Sequence, residues 1–129
     1  MTEDLISGGY VMADSALFVG FGLPVRGRER KALSVFAETV EYYSRLQQSG
    51  EIESFEPVLL EPHGGELGGF FLLRGERDKL AHLRTSEEFE RRTLRGQLIA
   101  DNLGVVGAAI GDRLASQLAT FAQQVDELA

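Results

Sequence analysis

The chain has 129 residues, 43% of them hydrophobic, with 13 Lys and Arg against 20 Asp and Glu and a formal charge of −7. This suffices for one domain with one core, and a net negative field repels phosphate backbones and anionic membranes, which excludes nucleic acid as a default partner. With no cysteine, disulfides, thiolate catalysis and Cys-based metal centres are excluded.

No apolar run approaches the ~20 residues that span a bilayer. The opening MTEDLISGGY lacks the basic flank and hydrophobic stretch of a secretion signal. A cytoplasmic protein with no membrane partner is expected.

Residues 1–15 hold a Gly-Gly pair and no sustained period, so they read as an N-terminal arm with one docked turn around Tyr10–Met12; residues 16–129 form the single domain. ALFVGFGLPV, residues 16–25, is a buried strand closed by Pro24 and Gly27, with Leu17, Val19 and Phe21 on one face. From Gly27 the period changes. Leu33, Phe36, Val40 and Tyr43 recur at three- and four-residue steps, so a first helix faces a core along that stripe and stops at Gly50. Tyr42 and Tyr43 are adjacent, so at most one points squarely into the core, the other serving an interface or a cavity.

EIESFEPVLLE reads as a strand with Glu51, Glu53 and Glu56 on wet positions and Pro57 marking an edge or bulge. EPHGGELGG then turns the chain into a third strand ending at Gly75. The run from Glu76 to Gly104 is helical in two pieces, because Thr85 and Glu88 have capping-box spacing. Phe89, Leu94 and Leu98 are its inward residues, and Asn102 and Gly104 end it. VVGAAIG is a fourth strand in a crowded place. Asp112 caps a last helix whose Leu114, Leu118, Phe121, Val125 and Leu128 form an unbroken stripe, set either on its own sheet or toward a partner.

The order β-α-β-β-α-β plus a helix is the split βαβ, ferredoxin-like α+β arrangement with a four-stranded antiparallel sheet. Its helices cover one sheet face. Phe70 and Leu72 against Phe71 and Leu73 make the second face apolar as well, so a second copy is expected to bury it.

The element order, the length, the stretch GEIESFEPVLLEPHGGELGGFFLLRGERDKL and the tail helix resemble the dimeric α+β barrel superfamily, which includes antibiotic-biosynthesis-type monooxygenases and YCII-like proteins. The resemblance covers residues 16–111. It implies a homodimer whose sheets close into a barrel, often with a pocket between sheet and helices.

His63, with Glu61 and Glu66, offers the donors a divalent metal accepts. Side chains on so short a glycine turn point apart, so a hairpin with an exposed histidine is the plainer reading and no metal site is assigned. His82 sits on a helix, as a base or as an exposed residue. Haem-degrading members of the superfamily place a histidine ligand on the corresponding helix, together with a tryptophan and a first-strand asparagine that this chain lacks; no cofactor is expected. The histidine and aspartate pair of YCII-like proteins has no counterpart, because the first helix contains no histidine. Arg26, Arg28, Arg30 and Lys31 cluster where the first helix begins, ready for an anion or for solvent. GFGLPVRG does not match the dinucleotide fingerprint, and no Gly-x-Ser-x-Gly elbow occurs.

The expectation is a homodimeric protein that binds a small hydrophobic or anionic ligand, with Arg26, Arg28, Tyr43 and Arg74 as ligand-binding candidates. A cofactor-independent monooxygenase-like or YCII-like enzyme using His63 or His82 is the alternative. A third reading is a purely structural assembly module.

Overall fold

A continuous run of apolar, β-type residues makes SALFVGF the strand β1 (Ser15–Phe21), which buries Leu17 and Val19 on one face and rests Phe21 against the same core. The structure is a computed structural model that describes residues 13–129; the turn expected around Tyr10–Met12 lies outside them. Helix α1 (Glu29–Ser49) follows and ends where Gly50 adopts φ 83°, a left-handed cap that glycine takes without steric cost. Strands β2 (Ser54–Leu59) and β3 (Gly69–Gly75) come next, then α2 (Arg77–Arg84), α3 (Glu87–Ile99), β4 (Gly104–Ala109) and α4 (Gly111–Leu128).

The four strands form one antiparallel sheet in the order β2-β3-β1-β4. This is the ferredoxin-like α+β fold that the element order implies. Pro57 stands on edge strand β2, and the pairing with β3 runs through it opposite Phe71 without a bulge; at an edge its missing N–H costs no ladder bond. Leu17, Val19, Phe71 and Leu73 point to the helices and join Tyr42, Tyr43, Leu46, Leu80, Leu83 and Phe89 in the core. The alternate residues Phe18, Phe70 and Leu72 lie on the other face, half-buried, with Phe18 stacked on Phe70 at 4.9 Å.

Several local expectations are corrected. The second helical run does break, but Ser86 is the cap: its Oγ accepts from the Phe89 N–H at 3.3 Å, while the Thr85 hydroxyl donates to the His82 carbonyl and closes α2. Leu94 and Leu98 are exposed. Helix α3 turns the face of Phe89 and Gly96 inward instead, because Gly96 lets Leu103 pack where a Cβ would lie 2.5 Å from its Cδ1. The helix stops at Ile99, with Asn102 at φ 56° in the turn beyond.

Both adjacent tyrosines are buried. Tyr43 enters the core, and Tyr42 is covered from the side by the guanidinium groups of Arg45 and Arg92, 5.5 and 5.1 Å from its ring centre. Strand β4 is not crowded, since a Cβ at Gly104 or Gly107 would meet nothing within 4 Å. Asp112 lies in the first turn of α4, with Ile110 in the cap position. None of the α4 stripe is buried.

Candidate functional site

Leu33 belongs to the apolar stripe of α1, yet it is 75% exposed. The reason is that the first turns of α1 overhang a cavity rather than a packed core. That cavity, about 390 Å³, lies between the sheet and helices α1 and α3. Val19, Phe21 and Phe71 form its sheet wall; Ala32, Val35, Phe36, Thr39 and Tyr43 come from α1; and Phe89, Arg92, Thr93 and Gly96 come from α3. Leu23, Leu33 and Leu59 stand around its mouth, each largely in water. From Glu29 to Tyr43 the lining follows α1 for about 21 Å at 1.5 Å per residue, so the space is elongated.

Tight backbone crossings hold the mouth in shape. The Gly22 N–H donates to the Asp101 carbonyl at 2.7 Å, and the Gly68 N–H donates to the Phe21 carbonyl at 2.7 Å. A Cβ at Gly22 would sit 2.8 Å from the Glu66 oxygen and 2.9 Å from that of Asp101, and one at Gly68 3.0 Å from the Gly22 oxygen. Only glycine lets these loops converge, which is the role of the later glycines in the histidine turn. On the other side Val25 N–H donates to the Ile99 carbonyl at 2.9 Å, and Arg28 Nη1 reaches the Leu98 carbonyl at 2.9 Å. The start of α1 is thereby tied to the end of α3.

Inside, polar groups are few. The Thr39 and Thr93 hydroxyls are spent on the Val35 and Phe89 carbonyls of their own helices, as helix-interior threonines commonly are. Arg92 is held by Glu88 at 3.2 Å and Glu38 at 3.6 Å, and Glu88 is pulled below the usual carboxylate range by its bond to Arg92 and by Arg45. Tyr43 differs. Burial, with Tyr42 beside it, pushes its phenol well above the usual tyrosine range, and no described side chain gives its hydroxyl a hydrogen bond. A buried hydroxyl without a partner is costly, and a bound acceptor relieves that cost. It stays protonated at neutral pH, so it is a donor.

Of the residues singled out in the sequence, Tyr43 lines the cavity. Arg28 is bonded to the Leu98 carbonyl and Arg26 is exposed in the loop just before it; neither lines the cavity. Arg74 is on the opposite sheet face, paired with Glu56 at 3.1 Å. His82 is exposed on α2.

His63 is exposed in the turn, where Gly64 takes φ 83° and Gly65 and Gly68 do not need positive φ. Its Nε2 donates to the Leu67 carbonyl at 2.8 Å and its Nδ1 accepts from the Gly65 N–H at 3.2 Å, bonds that suit the neutral Nε2-protonated ring. Neither histidine lines the cavity. Among the described residues no three His, Asp or Glu side chains are grouped to hold a metal ion. Arg92 was not among the ligand-binding candidates, although its Glu88 partner four residues earlier is a visible helical pair.

No family model matches the chain, and no curated protein matches it. Solved structures do. A dimeric protein of unknown function and ferredoxin-like fold from Bacteroides fragilis NCTC 9343 superposes with a TM-score of 0.56 at 12% identity, over 78% of this chain and 100% of that one. SnoaB, a cofactor-independent oxygenase from Streptomyces nogalater, aligns with a TM-score of 0.49 at 16% identity, over 78% of this chain and 96% of that one. The first likeness is one of fold, and it agrees with the resemblance seen in the element order. No helix among the described residues is long and apolar enough to cross a membrane.

Proposed function

We propose that this ferredoxin-like chain is a small-molecule-binding protein that works as a homodimer. The observation that carries the reading is the apolar cavity of about 390 Å³ lined by Tyr43, a protonated phenol without a hydrogen-bond partner among the described residues. Pockets of a few hundred Å³ with apolar walls and few polar groups are the usual form of ligand sites. The occupant is elongated and apolar, with a hydrogen-bond acceptor for Tyr43.

The dimer follows from the second sheet face, where Phe18, Phe70 and Leu72 remain half-buried and Val106 exposed. Pairing two such faces removes apolar area from water and closes a barrel. The Bacteroides fragilis protein of like fold is described as dimeric, which supports this. A histidine base is not favoured, because His63 and His82 stand outside the cavity.

The test is titration with N-phenyl-1-naphthylamine, a neutral apolar fluorophore. Saturable enhancement at one site per chain is expected, and Ala32→Phe should abolish it while leaving the far-UV spectrum unchanged. No saturable binding, or binding indifferent to Ala32→Phe, would overturn the cavity as the site.

A further inference from the structure

Helix α4 is an 18-residue helix, about 27 Å long, whose principal neighbour is β4. Its stripe lies in water: Leu114 is 46% exposed, Leu118 59%, Phe121 68%, Val125 52% and Leu128 86%. It cannot fold back over its own sheet, because a single residue, Ile110, separates β4 from α4. That joint is pinned by the Ile110 N–H to the Asp14 carbonyl at 3.1 Å, with Gly111 at φ 54°.

We infer that α4 pairs antiparallel with the α4 of a second copy of this chain. The stripe steps by four, three, four and three residues from Leu114 to Leu128, the narrow seam of a coiled coil rather than the broader face of a helix lying on a sheet. Beside the seam lie Ala115 and Ala122 on one flank and Gln117 and Gln124 on the other, so the flanks carry no charge to repel an identical helix.

Charge sets the direction. The start of α4 holds Asp112 and Arg113, whose charges cancel, and its end holds Asp126 and Glu127. Parallel pairing would bring the acidic ends together. Antiparallel pairing keeps those acidic ends apart, and it sets Leu114 opposite Val125 of the partner subunit and Leu118 opposite Phe121 of the partner subunit. It also opposes the two helix dipoles.

The stripe offers roughly 500 Å² per copy, short of the ~800 Å² per partner of a stable interface. The helix pair therefore adds to the sheet-face contact rather than replacing it, and the inference rests on the homodimer reading in that sense.

Because the chain has no cysteine, introduced pairs report cleanly. Full-length Leu114→Cys/Val125→Cys is oxidised at low micromolar concentration and run on a non-reducing gel, with sedimentation on the unaltered protein alongside. Most of the double variant should run as a linked dimer, at least tenfold above either single variant. Linkage by Leu114→Cys alone would show parallel pairing and overturn the inference. A sedimenting dimer with no linkage would seat the stripe elsewhere, on the partner's sheet or another protein, and overturn it while leaving the homodimer intact. A monomer in sedimentation would overturn both.

Discussion

Tyr43 meets Phe71 edge to face, with ring centroids 5.1 Å apart and the planes at 82°. The pair joins α1 to β3 at the inner wall of the cavity, and Phe36 and Phe55 pack around it. Phe71→Ala removes the sheet side of this cluster and should cost ~3–5 kcal/mol in urea denaturation. Tyr43→Phe keeps the ring and gives up only a hydroxyl without a described partner, so its cost should stay under ~1 kcal/mol. A loss for Tyr43→Phe as large as that for Phe71→Ala would show that the hydroxyl is bonded within the protein.

Alkaline titration should separate folded from unfolded phenols. Tyr42 and Tyr43 are both raised, chiefly by burial, with the Glu88 charge adding to Tyr42. A raised folded value means that the native state keeps a proton the unfolded state releases. The associated stability is fully present below the ordinary tyrosine pKa of ~10 and is lost as pH rises through the higher folded value. Phenolate absorbance of these two residues should thus appear together with unfolding, and Tyr43→Phe should flatten the fall in stability above pH ~10. In a Tyr10→Phe background, which leaves only these two tyrosines, ionisation near pH ~10 in a chain still folded by circular dichroism would contradict the burial of both rings.

The carboxylate side gives the opposite sign. Glu88 is lowered by Arg92 and Arg45, so its contribution is present above the ordinary carboxylate range and fades as pH falls through the lowered folded value. Arg92→Met removes its ion pairs with Glu38 and Glu88 and the contact with the Tyr42 ring, and should cost ~1–2 kcal/mol. Arg95→Ala, a more exposed partner of Glu38, should cost under ~1 kcal/mol. Thermal melts of both at low and high salt decide the order.

Two glycines of the sheet should behave differently. A Cβ at Gly69 would lie 2.5 Å from the Val58 carbonyl oxygen, which is backbone and cannot yield, whereas one at Gly107 would meet nothing within 4 Å. Gly69→Ala is expected to destabilise by ~2 kcal/mol or more. Gly107→Ala should be neutral or gain up to ~1 kcal/mol, as Ala in a strand loses less entropy than Gly. Equal effects in chemical denaturation would argue against the observed register.

At the mouth, Leu33→Ser should leave stability within ~0.5 kcal/mol, since Leu33 is already in water. The same change should weaken N-phenyl-1-naphthylamine binding severalfold. Loss of stability without loss of binding would mean that Leu33 packs in the fold rather than guarding an opening.

The sequence by itself determined the existence and order of the elements, though not which residues cap the later helices. Apolar runs of β-type residues marked β1 and β3, positive-φ glycine at residue 50 ended α1, Pro57 marked an edge, and the order of elements was enough for the ferredoxin-like fold. Periodicity reports which face of an element is apolar; it does not report what lies opposite. Leu33 shares its stripe with Phe36 and Tyr43, yet only the packing of α1 against α3 and the sheet decides that one end of the stripe meets a cavity and the other a core. Leu94 and Leu98 went outward because Gly96 and Leu103 fixed the rotation of α3, a contact between residues on either side of a turn that no spacing rule contains. Tyr42 was covered by arginines from two helices. In α4 the stripe was legible residue by residue, and tertiary structure alone set it beyond the reach of its own sheet, because one residue is too short a hinge to turn a helix back.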